Sequence, residues 1–351
     1  MITCREMPQV RRVCVLAWGG AAVSWELTTP GPLGASLASC AAFLLLATGC
    51  ALHIRYGLMA ELRRSQEIAD AAQRALLRPL PGRIEGLTLA AAQLSASRGA
   101  AVGGDLYEAV PTAYGVRVVI GDVRGHGLPA LGAAAAVLGA FREAAYDEPA
   151  LGGVLVRMER ALARHVLAKD AAEEFVTVLL LQIAPDGSVL ALNCGHPWPY
   201  LLREPQPLEP CGAPARPAPP PSAGARLRTP RRCGAVGKYP ARRGLDVRTF
   251  DGGDTLPPLG VVPVRPDLPP QDCGQLWPGE VLFLHTDGAE DARDGAGRFF
   301  PLRSVLAEQP ADTPARLVAG VHAALLRHTG GQLTDDVALL VLRSDRGDRG
   351  C

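Results

Sequence analysis

The sequence predicts an α+β fold, with helices grouped apart from mostly antiparallel strands, placed behind an N-terminal membrane segment. Three observations lead there. From Leu87 onward, apolar runs of strand length are separated by turn residues, with VRVVIGD and FVTVLLLQI the most continuous. Two helical stretches, Leu128 to Ala145 and Gly152 to Lys169, follow one another instead of alternating with strands. Ahead of both, Leu37 to Ile54 is apolar at the length a bilayer requires.

Composition sets the limits. A chain of 351 residues, 48% of them hydrophobic, can bury one large core or two ordinary ones. A formal net charge of +1 produces no global field for nucleic acid, so a nucleic-acid partner is not expected. The nine cysteines include no pair at the close spacing of zinc or redox sites, and they read as free thiols of a reducing compartment.

Taken in order, the first element is a membrane hairpin. Its helices are about 13–25 and 37–54, joined by the turn-rich TTPGPLG. Arg5, Arg11 and Arg12 precede it and Arg55, Arg63 and Arg64 follow, so the excess of positive charge puts both ends in the cytoplasm. Localisation to the cell membrane, with the catalytic domain cytoplasmic, follows from that orientation. Residues 55–80 form a linker helix in which Leu58, Leu62, Ser65, Ala69, Ala72 and Leu76 alternate spacings of four and three. That seam suits pairing into a homodimer, and it equally suits an amphipathic helix packed on the next domain. Pro79 and Pro81 end the helix and open the region 81–345.

Within that region LTLAAAQLS, DLYEAV and VRVVIGD read as strands, then come the two helices. FVTVLLLQI and SVLALNC return as strands joined by a turn at Pro185 to Gly187. Val281 to Thr286 is a strand that runs into Asp287, and a helix from Pro314 to His328 leads to a last strand, Val337 to Leu342. The stretch 203–254 is rich in Pro and Arg and is expected to be a mobile insertion, and 346–351 is a short tail. Arg226, Arg228, Arg231, Arg232, Arg242 and Arg243 within the insertion read as a solvated segment or as contacts for an acidic partner.

The acidic residues carry the chemistry. Asp105 follows two glycines, Asp122 and Asp287 end strands beside glycines, and Asp335 with Asp336 starts the last strand. Carboxylates from distant segments repel one another unless cations hold them, and hard ions such as Mn2+ or Mg2+ prefer such oxygen ligands. A pair of ions of that kind activates water and neutralises a transferring phosphoryl group.

Together the segments AQRALLRPLP, VGGDLYE, IGDVRGHGLPAL, FVTVLLLQI, LNCGHPWPYLL, PPLGVV, VLFLHTDGAEDARD and TDDVALLVL resemble the SpoIIE-like branch of the metal-dependent protein serine/threonine phosphatases. The resemblance implies an α-β-β-α sandwich of two antiparallel sheets flanked by helices, with two Mn2+ or Mg2+ ions at one edge. By the same resemblance Asp122 bridges both ions, the Val123 carbonyl adds a ligand, and Asp287 with Asp335 or Asp336 completes the set. Asp105 acts directly or through water. His126 either protonates the leaving oxygen or caps the helix beside it. His196 reads as a shaper of its turn and His285 as a packed side chain, and Glu108 stands where the family usually has Asp. The implied substrate is a phosphorylated protein, with an anti-sigma-factor antagonist of a partner-switching pathway the family expectation. A catalytically degenerate domain that binds phosphorylated partners is the alternative class, and a two-metal nucleotide hydrolase is a third.

Overall fold

The computed structural model describes residues 24, 33–94, 103–125, 127–169, 174–205 and 244–346. Helix α1 (Leu33–Leu76) is followed by strands β1 (Arg83–Ile84), β2 (Leu87–Leu94), β3 (Leu106–Thr112) and β4 (Gly115–Val123). Helices α2 (Leu128–Asp147) and α3 (Leu151–Lys169) come next, then β5 (Val176–Ile183), β6 (Ser188–Cys194), β7 (Tyr200–Arg203), β8 (Asp246–Thr249), β9 (Gln271–Gln275) and β10 (Val281–His285). The short α4 (Gly288–Asp291), α5 (Leu302–Glu308), α6 (Pro314–His328) and β11 (Val337–Ser344) complete the chain.

The strands form two sheets whose paired strands all run antiparallel, one ordered β1-β2-β11-β10-β7-β8 and the other β3-β4-β5-β6-β9. Period-two alternation explains why they stack. Val116, Val118 and Ile120 of β4 meet Leu282, Leu284, Leu340 and Leu342 of β10 and β11 in a core between the sheets. The other faces of the same strands pack helices. Val119 and Val123 lie with Phe141 and Met158 of α2 and α3, while Leu339 and Val341 lie with Leu317, Val321 and Leu325 of α6. Burial on both faces is why these strands read as unbroken apolar runs. The α+β class and the sandwich are therefore as expected.

Local signals place the elements. Thr313 caps α6 by accepting from the Arg316 amide, Pro314 occupies its first turn, and Arg327 and His328 occupy its last. On β4 the one charged side chain on the helix-facing side is Arg117, which is fully buried. Its guanidinium donates to the carbonyls of Ala145 at 2.9 Å and Pro149 at 2.7 Å and to Gln182 Oε1 at 3.0 Å, closing the C-terminal end of α2 onto the sheet.

Several expectations change. The segments 37–54 and 58–76 belong to one continuous helix, α1, because no proline stands between Ile54 and Leu58 and the single Gly57 costs a long helix only about 1 kcal/mol. Among the described residues no helix is long and apolar enough to cross a membrane. The side chains of 33–40, 42 and 43 are outside the described set, and the helix expected at 13–25 lies outside it except for Ser24, so the hairpin has no support in the structure. The edges of the stretch 203–254 are also ordered: Arg203 ends β7 and Asp246–Thr249 pairs with it as β8, whose short polar sequence carries no apolar run. Residues 206–243 between them, with all six arginines named above, lie outside the described residues. By its contacts the chain divides into Met1–Ile68 and Ala69–Cys351.

Candidate metal centre

Four segments deliver their carboxylates to one edge of the sandwich. In the β3–β4 hairpin Leu106 pairs with Gly121, which sets Asp105 and Asp122 side by side at the open end. In the other sheet His285 pairs with Leu339, so Asp287, just beyond β10, lies beside Asp335 and Asp336, just before β11. Close approach explains two of the surrounding glycines. A Cβ at Gly104 would stand 2.5 Å from the Val123 carbonyl oxygen and 3.1 Å from Asp122 Oδ1, and one at Gly288 would stand 2.0 Å from the Asp336 carbonyl oxygen.

The side chains are held at different depths. Asp105 is 2% exposed, and its Oδ2 accepts a hydrogen bond from Thr286 Oγ1 at 3.1 Å, across the gap between the sheets. Its Oδ1 is buried with no donor in reach. Asp336 is buried, while Asp335 is exposed and accepts from the Asp336 amide at 2.8 Å. Thr177, opposite Asp122 on β5, has its hydroxyl 3.3 Å from the Asp122 amide and 3.1 Å from His196 Nδ1.

Electrostatics confirm the crowding. Burial, then Asp122, Asp336 and Asp287, holds the Asp105 carboxyl well above the usual range. Burial, then Asp287, Asp335 and Asp336, pushes Asp122 up to about 7, and a hydrogen bond shared with Asp105 works against that rise. Burial, then Asp335 and Asp291, raises Asp287 as well. The upward shifts of these three groups all come from burial and from the negative charge of neighbouring aspartates, which is the condition a divalent cation relieves.

The donor set fits a hard cation in its chemistry: buried carboxylates, an orphaned carboxylate oxygen and a strand-end carbonyl. Among the described residues no three His, Cys, Asp or Glu side chains stand close enough to hold an ion in this conformation. The structure thus brings Asp105, Asp122, Asp287, Asp335 and Asp336 within electrostatic reach of one another without closing them on a point.

The histidines separate. His126 lies outside the described residues. His196 exchanges two hydrogen bonds with Asn193, both at 2.9 Å, and burial followed by the neighbouring His285 pulls it down to about 3, so its ring is neutral. His285 is buried and stacked on Tyr200 with ring centroids 5.6 Å apart. Both are packed as expected. Glu108 is not among the gathered carboxylates: its Oε2 accepts from Arg142 Nε of α2 at 2.7 Å, and Arg142 also donates to the Leu76 carbonyl at 2.7 Å. Three supporting residues escaped the sequence reading, namely Thr286, Thr177 and Gln73, whose Oε1 accepts from the Gly103 amide at 3.2 Å. The signal for Thr177 was a lone hydroxyl inside an otherwise apolar strand.

The profile of the family described as Stage II sporulation protein E (SpoIIE) matches residues 112–220 and 241–345. The chain belongs to the SpoIIE family. No curated protein sequence matches this SpoIIE-family chain. Among solved structures, the SiaA-PP2C domain of Pseudomonas aeruginosa aligns with a TM-score of 0.52 and 17% identity, covering 83% of this chain and 98% of that one. The RsbU and RsbW domains of a Mycobacterium tuberculosis protein align with a TM-score of 0.50 and 20% identity, covering 74% of this chain. This SpoIIE-family chain spans 61% of the length of that two-domain structure. At such identities the likeness speaks to the fold, which is that of a PP2C domain.

Proposed function

We propose that this chain is a metal-dependent phosphatase that removes phosphate from phosphoserine or phosphothreonine on a partner protein. The observation that carries the reading is the convergence of five aspartates from four segments, close enough that their mutual repulsion raises the proton affinity of Asp105, Asp122 and Asp287. In this reading Asp122, the Val123 carbonyl, Asp287 and Asp335 or Asp336 would hold two Mn2+ or Mg2+ ions. Asp105 contributes its free Oδ1 directly or through water. Such ions, when bound, supply a water of lowered pKa and neutralise charge on the phosphoryl group. The protein's share is to hold the carboxylates together, with Thr286 donating to Asp105 and Thr177 beside the Asp122 amide. His126 is proposed as the group that protonates the leaving oxygen.

The partner is proposed to be an anti-sigma-factor antagonist of a partner-switching pathway. Support comes from family membership and from the RsbU neighbour, which shares its chain with an RsbW domain. Attachment to the membrane with a cytoplasmic catalytic domain is proposed from the sequence, and from the exposure of Leu44, Leu45 and Leu46 along α1.

The test is manganese-dependent release of phosphate from a generic phosphorylated protein. Asp287→Asn is expected to lower the rate at least a hundredfold, and equal rates remove the site. A second reading, a phosphatase-fold protein that binds phosphorylated partners without turnover, is favoured by the absence of three ion-holding side chains among the described residues. Binding of the phosphoprotein without phosphate release in saturating Mn2+ selects that reading. Turnover of nucleotides in place of phosphoprotein selects the nucleotide hydrolase.

A further inference from the structure

Thr286 occupies the point where three of the ligand-bearing segments meet. Its amide donates to the Ala338 carbonyl at 3.1 Å and its carbonyl accepts from the Ala289 amide at 3.1 Å, so it ends the β10–β11 ladder and opens the turn that carries Asp287. Its hydroxyl is committed on both sides. Oγ1 accepts from the Ala338 amide at 2.8 Å, and its single proton is directed to Asp105 Oδ2 at 3.1 Å in the opposite sheet. Thr286 is fully buried and Asp105 nearly so, so no water competes for that proton.

The consequence concerns which carboxylate oxygen is available. With Oδ2 engaged, the oxygen left without a donor is Oδ1, on a side chain 2% exposed among the other aspartates. We infer that Thr286 is a positioning residue for the ion site. Its hydroxyl ties the first sheet to the second, fixes the rotation of the Asp105 carboxylate and presents Oδ1 to the ion. Resting on the proposed metal-dependent reading, this adds a determinant of ion affinity that touches neither ion nor substrate. Outer hydrogen-bond partners of this kind alter metal affinity by about 10–100-fold when removed.

The test is a double-mutant cycle on the full chain, reading Mn2+ binding by calorimetry. Thr286→Val keeps the shape of the side chain and deletes both hydrogen bonds, and it is expected to weaken Mn2+ binding at least tenfold. Thr286→Ser restores the hydroxyl and is expected to bind as the wild type does. In an Asp105→Asn background Thr286→Val is expected to cost little more, because the effect passes through Asp105. The same loss in both backgrounds marks a merely structural role and overturns the inference, as does a folded Thr286→Val protein with unchanged affinity. Should Thr286→Val fail to fold, Thr286→Ala takes its place in the cycle. A folded Thr286→Ser protein that binds more than tenfold weaker than the wild type overturns the inference independently. If the wild-type protein binds no Mn2+ at all, the metal-dependent reading itself falls, and the inference with it.

Discussion

Asp122 shows how a single residue reports on the whole centre. In the ion-free protein it keeps its proton up to about pH 7, whereas in the unfolded chain it releases it near 3.8. Between those values the folded state binds more protons than the unfolded one, so this group's contribution to stability is fully present below about pH 4 and is lost as pH rises through about 7. The melting temperature of ion-free protein, measured relative to that of Asp122→Asn, is therefore expected to fall between about pH 5 and about pH 7.5. Calorimetry at a series of pH values checks this, and identical slopes for the two proteins contradict it. Mn2+ acts in the other direction, because it takes the place of protons: its stabilising effect is expected to grow with pH over the same window. The ring of His196 acts in the opposite sense to Asp122: it stays neutral in the fold while an unfolded histidine titrates near 6.5, so its contribution to stability grows as pH rises toward that value, and the part due to Asp122 is read from the difference between the two proteins.

The elements depend on a few polar contacts placed at their ends. Arg117 joins β4 to the last turn of α2, satisfying the buried carbonyl of Ala145 and reaching that of Pro149 just beyond the helix. Arg117→Met is expected to cost about 3 kcal/mol of stability, read in denaturant unfolding. Arg117→Lys is expected to recover little of it, because an ammonium lacks the planar fork that reaches several acceptors at once. The linker end of α1 is tied by other contacts, with Gln73 on the Gly103 amide and Arg142 on the Leu76 carbonyl. Upstream of these, Leu58 is exposed. Replacing Leu58 and Leu62 by Glu is expected to convert a dimer to monomers in analytical ultracentrifugation if that face is a pairing seam. An unchanged sedimentation coefficient assigns the face another role.

At the scale of the molecule, the unit Ala69–Cys351 holds the two sheets and the helices α2 to α6. A protein beginning at Ala69 is expected to be soluble, to melt in one transition and to retain the Mn2+-dependent activity. The full chain is expected to sediment with membranes, and its recovery in the soluble fraction removes the proposed anchor. The architecture of this unit was largely legible, since Val116 to Ile120, Leu179 to Leu181 and Leu339 to Leu342 are apolar at every position but Arg117, which marks strands covered on both faces. The short strands β1, β7, β8 and β9 were not, because strands of two to five residues, three of them at sheet edges, carry little apolar pattern and owe their form to the neighbours they pair with. The sequence alone determined which carboxylates stand at strand ends beside glycines, where backbone bends and lets side chains meet. Only the tertiary structure decided how they stand: Asp105 deep and tied to Thr286, Asp335 exposed, Asp336 covered, Glu108 turned aside to Arg142. The physical reason is that burial and repulsion belong to pairs of residues far apart in the chain, as Asp105 and Thr286 are at 181 positions, and no local pattern encodes which side of a carboxylate a distant hydroxyl will reach.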